Sequence, residues 1–457
     1  MIGTTPGPRN GTTRTVGPGP DLHGSDRGSL TRLPRFRQLH PEIRRALEAA
    51  RNAAAPHRIY AVGGYVRDLL LGLDPLDIDL VVEGDAIAVA RHLGECLKGA
   101  VTPHPRFATA RLRLPAGITL DLATARSERY SKPAALPEVW PASLLEDLAR
   151  RDFTINAMAA RVERHSFGPL IDPFGGFADL RRGQIRVLHD RSFIDDPTRI
   201  FRAVRFEARH RFAIARDTMR LIRAAVEGRV VAKLAGSRIL TELLLIAKEP
   251  SAPSIIRRLS ELGVLAIIHP KLGDLPAASG RLHRLRGVLA RSRSLPLGQS
   301  PGTGESYLLG ILSLLHPNTA AAVIRRLDPP RQVVEKLAAD LDACRKAAGR
   351  LARAVNLCPS RIASLLDPLS PEARALLLAI LVSGSRRKAV AEYVTNSWRI
   401  VPMLRGEDLR RLGFRPGPIY RTILTALRAA KLDGQLHTRQ DEIAFVRRRF
   451  ASGRPLD

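Results

Sequence analysis

Two aspartates alternate along one short apolar run, and a third aspartate lies in a later run of the same kind. Asp77 and Asp79 belong to LDIDLVV, and Asp121 belongs to ITLDLAT. Alternate residues of a β-strand project from one face, with Cα atoms about 6.6 Å apart. Paired carboxylates of this kind bind Mg²⁺ in phosphoryl transfer, although a solvated strand end has the same spacing. The third acid favours a metal site if its strand lies beside the first.

A glycine pair follows the strand-like run RIYAV and precedes a helical pattern. Gly63 and Gly64 would leave bare backbone N–H groups at the start of that helix, with Arg67 one turn further on. Such N–H groups bind phosphate, and a triphosphate would fit there. A simple tight turn remains the alternative.

A second helical pattern, DDPTRIFRAVRF, carries arginines at every third position. Pro197 suits a first helical turn and Asp196 suits an N-cap. Arg199, Arg202 and Arg205 then spread over one broad face of the helix. Considered alone, this pattern predicts an amphipathic helix with a solvated basic face.

The elements that must position these residues fall into two classes. Between about residues 57 and 123, short β-rich runs end at Gly, Pro or Asp, and a helix over AIAVARHLGECLKG separates the second run from the third, with Gly99 as its stop signal. After about residue 190 the pattern is helical to the C-terminus. We therefore predict an α/β domain followed by all-α domains.

Composition narrows the possible partners. The 457 residues contain 73 Lys and Arg against 44 Asp and Glu, a net charge of +29. This excess favours binding of nucleic acid or nucleotides, and a general arginine bias in the organism is the alternative explanation.

No run approaches the ~20 apolar residues that span a membrane. The three cysteines lack CxxC spacing, which fits a reducing cytoplasm better than a disulfide framework or a zinc site.

The chain resembles the class II tRNA nucleotidyltransferase and bacterial poly(A) polymerase family. The resemblance depends on four features taken together: GGYVRD, the paired aspartates, RRDFTINA and DDPTRIFRAVRF. The resemblance extends from about residue 57 to 250. It implies an α/β, polymerase-β-like nucleotidyltransferase head followed by an all-α neck, body and tail. With the patterns above, the expected divisions are a disordered leader over 1–40, the head over 41–190, the neck over 191–250, the body over 251–345 and an RNA-binding tail over 346–457.

The resemblance also implies roles for individual residues. Asp77 and Asp79 would be the metal ligands, and Asp121 would be the third catalytic carboxylate. The residues expected to bind the nucleotide are Gly63, Gly64, Arg67, Arg151, Asp152, Asn156, Asp196, Arg199, Arg202 and Arg205.

Within this set, Asp196 and Arg199 are implied to act as a protein template for the base. A carboxylate only accepts hydrogen bonds and a guanidinium only donates them. Cytosine and adenine each present an amino donor beside a ring-nitrogen acceptor, whereas uracil and guanine place a carbonyl where the amino group should be. The pair therefore selects C and A. The family usually has Glu where this chain has Asp195, and the shorter side chain can orient Arg199 differently.

The polar stretch SERYSKPAALPEV and its flanks resemble the flexible loop that this family needs to add the terminal A. Arg126, Glu128 and Tyr130 match that loop. A Pro-rich surface loop is the alternative. An intact loop favours complete CCA addition or A-only addition.

The expected function is Mg²⁺-dependent, template-independent addition of C and A from CTP and ATP to the 3′ end of tRNA, with release of pyrophosphate. The alternatives are a poly(A) polymerase and a catalytically silent RNA-binding protein. HPRFATARL, after the paired acids, resembles the tRNA-specific branch more than the poly(A) branch. The sequence does not identify a protein partner.

Overall fold

The computed structural model describes residues 33–275, 279–291, 301–382 and 384–450. The chain forms two compact units, Met1–Lys233 and Leu234–Asp457. Most of the leader predicted over 1–40 lies outside the described residues. Phe36 is buried and packs edge-on against Phe167, with ring centroids 4.9 Å apart. The folded chain therefore includes residues before position 40.

A mixed seven-stranded sheet forms the centre of the first unit. Its strands are β1 (Ile59–Val62), β2 (Asp77–Val82), β3 (Ala100–His104), β4 (Thr109–Arg113), β5 (Thr119–Thr124), β8 (Ala159–Glu163) and β9 (Ser166–Ile171). The spatial order is β3-β4-β5-β2-β1-β8-β9, and β2 and β5 are its one parallel pair. Two smaller sheets are the antiparallel pair β6 (Arg126–Arg129) and β7 (Glu138–Pro141), and the parallel pair β10 (Gln184–Ile185) and β11 (Ala213–Ile214).

Alternation along the central strands sets the two faces of the sheet. Ile78 and Leu80 of β2 are buried, as are Leu120 and Leu122 of β5. Because successive side chains point to opposite faces, the aspartates between these apolar residues share the other face. The predicted α/β class and the four predicted strand regions are confirmed in this unit.

Eight helices accompany the sheets in the described part of the first unit. They are α1 (Pro41–Ala54), α2 (Gly63–Leu70), α3 (Ala86–Leu97), α4 (Leu144–Ala149), α5 (Gly176–Arg182), α6 (Ser192–Asp195), α7 (Thr198–His210) and α8 (Arg216–Glu227). Helix α3 begins at an Asp85 cap, whose side chain accepts from the Ile87 and Ala88 N–H groups. Its C-cap is Lys98, at φ 53°, so the helix stops one residue before the predicted Gly99 signal.

The second unit is helical throughout its described residues, as predicted. Its helices are α9 (Gly236–Lys248), α10 (Ala252–Glu261), α11 (Val264–Ile268), α12 (Ser279–Arg291), α13 (Thr303–Leu312), α14 (Pro317–Leu327), α15 (Arg331–Arg353), α16 (Pro359–Leu366), α17 (Pro371–Ile380), α18 (Gly384–Thr395), α19 (Gly406–Arg411), α20 (Pro418–Leu432) and α21 (Arg439–Phe450). Near the C-terminus, Leu409, Ile423, Leu427 and Val446 are fully buried in one apolar cluster. No described helix combines the length and apolar character that crossing a bilayer requires.

Candidate active site

The sheet brings the second and third aspartates side by side. In the parallel pairing of β2 with β5, Asp79 is in register with Asp121, and Asp77 is in register with Thr119. Neighbouring strands lie about 4.8 Å apart, so Asp79 and Asp121 are adjacent on one face. The condition on which the sequence argument depended, that the two acid-bearing strands be neighbours, is met.

Asp79 lies in the least hydrated position of the three acids. Burial raises its pKa to about 6, and the negative charge of Asp121 adds to that shift. The positive charges of Arg151 and Arg67 and the Tyr65 backbone N–H act in the opposite direction. A desolvated carboxylate beside a second acid is a place where a cation is favoured.

Asp121 is held by an arginine that the sequence argument did not single out. Arg111, on β4, donates from Nε to Oδ1 at 2.7 Å and from Nη2 to Oδ2 at 2.8 Å. The two residues are in register across the β4–β5 pairing. The bidentate contact uses both carboxylate oxygens.

Helix α2 begins directly beside these acids because the glycine pair allows a sharp turn. Gly63 has φ 65°, a conformation that favours glycine, and its N–H donates to the Met158 carbonyl at 3.1 Å. A Cβ at Gly63 would lie 2.5 Å from Arg151 Nη1. At Gly64 it would lie 3.4 Å from Asp79 Oδ2. The turn therefore places the first residues of α2 close to Asp79 and Arg151, while the Gly63 N–H is already bonded to Met158.

Replacing Gly63 with alanine should lower kcat/KM for nucleotide incorporation about 10- to 100-fold. The left-handed backbone disfavours a Cβ by about 1–2 kcal/mol, and the new methyl group must displace the Arg151 guanidinium. Gly72→Ala is the matched control, because Gly72 has φ 73° and nothing within 4 Å of its added Cβ. Equal losses of activity in the two variants would mean that backbone strain, and not the contact with Arg151, is responsible.

Four predicted nucleotide-binding residues form one hydrogen-bonded chain. Arg67 Nη1 donates to Asn156 Oδ1 at 2.6 Å, and Asn156 Nδ2 donates to Asp152 Oδ1 at 2.9 Å. Arg202 Nε donates to Asp152 Oδ2 at 2.8 Å. Burial opposes ionisation of Asp152, but the charge of Arg202 and the Asn156 hydrogen bond hold its pKa at about 2. These residues are thus fixed relative to one another.

Asp147 organises two arginines and was missed by the sequence argument. Its buried carboxylate accepts from Arg150 Nη2 at 2.5 Å and from Arg151 Nη2 at 2.9 Å. Burial works against the charge, but Arg151 and Arg150 together hold the pKa of Asp147 below its ordinary value. Its spacing of three and four residues from these arginines on a helical pattern was the available signal.

Helix α7 begins at Thr198 with Pro197 at its N-cap position, so the predicted N-cap at Asp196 is wrong by one residue. Asp196 instead contacts the first helical residue. Asp196 Oδ1 accepts from the Thr198 N–H at 3.0 Å and from the Thr198 hydroxyl at 2.6 Å. Arg199 is buried and donates to Ser192 Oγ at 2.6 Å and to the Arg150 carbonyl at 2.7 Å. Asp195 contacts Arg191 at 3.4 Å. One oxygen of the predicted template acid therefore also stabilises the helix.

Two arginines of α7 and one of α2 lie around an aromatic ring of α7. The guanidinium carbons of Arg67, Arg202 and Arg205 lie 5.3, 5.5 and 5.8 Å from the centroid of the Phe206 ring. Arg205 is itself buried. Such contacts partly offset the burial of positive charge and fix the orientation of the arginines.

The residues predicted on a flexible loop lie on or next to a strand. Arg126 and Glu128 belong to β6, which pairs with β7. Glu128 accepts from Arg150 at 2.7 Å and from Arg126 at 3.2 Å, and the Tyr130 hydroxyl donates to it at 3.0 Å. The hairpin is thus linked through Arg150 to Asp147.

The donor set at the sheet fits a divalent cation in part. Among the described residues, no three His, Cys, Asp or Glu side chains converge as a ready metal-binding group. Asp77 and Asp79 nevertheless share one strand face, and Asp79 is desolvated. Carboxylate oxygens are the ligands that Mg²⁺ prefers. The two acids of β2 therefore suit a hard cation, whereas both oxygens of Asp121 are bonded to Arg111.

Two acid-bearing neighbouring strands, a glycine turn at a helix N-terminus and a row of arginines define a nucleotidyltransferase head. The model of the poly A polymerase head domain matches residues 59–186. The model described as a probable RNA and SrmB-binding site of polymerase A matches residues 211–275.

Curated relatives and a solved structure extend these matches. The chain is 40% identical over 393 residues to an A-adding tRNA nucleotidyltransferase of Geobacter sulfurreducens, covering 85% of this chain and 44% of that protein. It is 32% identical over 400 residues to one of Halalkalibacterium halodurans, covering 87% of this chain and 90% of that protein. A Thermotoga maritima CCA-adding enzyme complexed with tRNA has a TM-score of 0.69 and 32% identity, covering 91% of this chain and 97% of that one.

The chain belongs to the tRNA nucleotidyltransferase and poly(A) polymerase family. This confirms the resemblance inferred from the sequence. Enzymes of this family are generally metal-dependent.

Proposed function

We propose that this chain adds AMP from ATP to the 3′ end of tRNA and releases pyrophosphate. The observation that carries the proposal is the in-register pairing of Asp79 with Asp121 beside the Gly63 turn. Acids, a phosphate-binding turn and a fixed set of arginines are the parts that nucleotidyl transfer needs.

Each group has a separate task in this proposal. Asp77 and Asp79 would hold Mg²⁺, which when bound lowers the pKa of the RNA 3′-hydroxyl and neutralises the triphosphate. Arg67, Arg151 and Arg202 provide positive charge toward the phosphates. Their bonds to Asn156, Asp147 and Asp152 support this role because they restrict each guanidinium before the substrate arrives.

Base selection is assigned to Asp196 and Arg199. Arg199 is buried and held by two hydrogen bonds, which suits a rigid donor for a ring nitrogen. Asp196 would accept a hydrogen bond from the exocyclic amino group. UTP and GTP would leave these charged groups unpaired, which strongly disfavours their binding.

Complete CCA addition, with CTP as a second substrate, is the other candidate. The likeness to the Thermotoga enzyme over most of both chains favours it. The A-adding relatives, at 40% and 32% identity, favour addition of the final A alone. Both candidates use the same acids and the same base template.

An incorporation assay with defined tRNA ends separates the candidates. Three tRNA transcripts are used, which end before the first C, after the first C and after the second C. Each transcript is incubated with one nucleotide at a time and Mg²⁺. A-only addition predicts AMP incorporation on the last transcript alone, whereas a CCA-adding enzyme also extends the other two with CMP. Repeated AMP addition to an unrelated RNA would indicate a poly(A) polymerase, and RNA binding without incorporation would contradict the proposal.

The cellular site of this reaction is proposed to be the cytoplasm. All three cysteines of the chain, Cys96, Cys344 and Cys358, are free thiols. Free thiols fit a reducing compartment.

A further inference from the structure

Three charged residues form a row across three neighbouring strands. Arg111 on β4 pairs in register with Asp121 on β5, which pairs in register with Asp79 on β2. Ala110 and Leu112, on either side of Arg111, are buried. Since in-register neighbours point to the same face, the guanidinium lies on the face that carries the acids.

The contact between Arg111 and Asp121 is geometrically good but open to solvent. Two parallel hydrogen bonds of 2.7 and 2.8 Å join the guanidinium to both carboxylate oxygens. The side chains are 48% and 38% exposed. An exposed ion pair contributes little net stability, so a stronger competing cation can displace it.

Arg111 interacts electrostatically with the whole acidic face. Hydrogen bonding and charge from Asp121 raise its pKa, and Asp77 and Asp79 add to the rise. Asp121 in turn raises the pKa of Asp79. Arg111 thus supplies positive charge where acids on neighbouring strands repel one another.

We propose that Arg111 is the resting counterion of Asp121, and that a divalent metal ion displaces it when the active site is loaded. The inference rests on the proposed function, because it takes the acids as metal ligands. Both cations need the same Asp121 oxygens, and a guanidinium left on them would repel a metal ion at Asp79. The divalent ion carries twice the charge and prevails over the exposed pair. Arg111 therefore weakens metal binding and is a positioning residue that acts through Asp121.

The test is Mn²⁺ binding to the full chain, measured by electron paramagnetic resonance without nucleotide or RNA. Arg111→Gln should bind Mn²⁺ about three- to tenfold more tightly than the wild type, because a competing cation is gone. Arg111→Lys retains the charge but loses the fork, so its affinity should stay within about twofold of the wild type.

Arg113→Gln is the matched control. Arg113 lies two residues further along β4, in register with Thr119 and not with an acid, and its loss changes the net charge equally. Its Mn²⁺ affinity should change by less than about twofold, since only longer-range repulsion is removed. An equal gain in Arg113→Gln and Arg111→Gln would overturn the inference in favour of a general charge effect.

Two further variants separate this inference from the proposed function. Asp79→Asn should weaken Mn²⁺ binding, and if it does not, the assignment of the metal site fails. Arg111→Gln is also made in an Asp121→Asn background. There the logarithm of the increase in Mn²⁺ affinity should be at most about half of that seen when Asp121 is intact, because the shared carboxylate is absent. Unchanged affinity in Arg111→Gln with weakened affinity in Asp79→Asn would refute the counterion role alone.

Discussion

Asp79→Ala is expected to reduce nucleotide incorporation by about 10³-fold or more. The substitution removes the desolvated acid at the centre of the proposed metal site. Affinity for tRNA should change by less than about twofold, because binding to the phosphate backbone depends on basic side chains. Single-turnover incorporation and a filter-binding titration on the same preparation measure the two quantities.

Asp74→Ala is the control for the loss of one acidic charge. Asp74 is exposed and precedes β2, so its removal should leave incorporation within about twofold of the wild type. Retained activity in Asp79→Ala would contradict the metal assignment. A parallel loss of tRNA affinity would instead point to a folding defect.

The melting temperature of the isosteric variant Asp79→Asn distinguishes a functional loss from a structural one. Burial raises the pKa of Asp79 to about 6, above that of an unfolded aspartate. The free energy of unfolding therefore falls as the pH rises from about 4 to about 6 and stays lower above that range. At pH 8 in the presence of EDTA, Asp79→Asn should therefore melt no lower than the wild type. A large drop in melting temperature would mean that Asp79 holds the fold together.

Local patterns were sufficient to predict the strands that carry the acids. Ile78 and Leu80 alternate with Asp77 and Asp79, and this alternation defines both the strand and its faces. The register of Asp79 with Asp121 did not follow from the pattern, because pairing depends on contacts between distant segments. From the sequence we could state only that Asp121 favours a metal site if its strand lies beside the strand of Asp77 and Asp79.

The residues that sequence reasoning missed act through long-range or indirect contacts. Arg111 is one polar residue in an alternating strand, and only the β4–β5 register places it on Asp121. The hairpin of β8 and β9 was also missed, because its alanine-rich start resembles a helix as much as a strand. Asp147 lies three and four residues before Arg150 and Arg151, the spacing of ion pairs on a helix. An exposed ion pair on a helix surface has the same spacing, so the sequence did not indicate that Asp147 is buried.

The arginines predicted to bind nucleotide separate into two groups by their partners. Arg67, Arg151 and Arg202 each contact an acid or amide of the same site, which fixes them beside the glycine turn. Arg199 contacts only neutral groups, the Ser192 hydroxyl and the Arg150 carbonyl, among the contacts described above. These two hydrogen bonds hold the Arg199 guanidinium in one orientation, which suits a group that must recognise a base.

Arg199→Ala is expected to lower discrimination between ATP and GTP about 10- to 100-fold, measured as the ratio of their kcat/KM values. A polar site rejects the wrong base because that base would leave buried charged groups unpaired, and this penalty disappears with the guanidinium. Incorporation of AMP itself should fall less, since the acids and the phosphate-binding arginines remain.

Arg209→Ala, which removes an equal charge from the exposed end of α7, should keep the wild-type ratio. If Arg199→Ala slows both nucleotides equally, Arg199 serves the architecture of α7 through Ser192 and Arg150, and base selection must come from another group. A changed ratio with an unchanged melting temperature would place the selection at Arg199 itself.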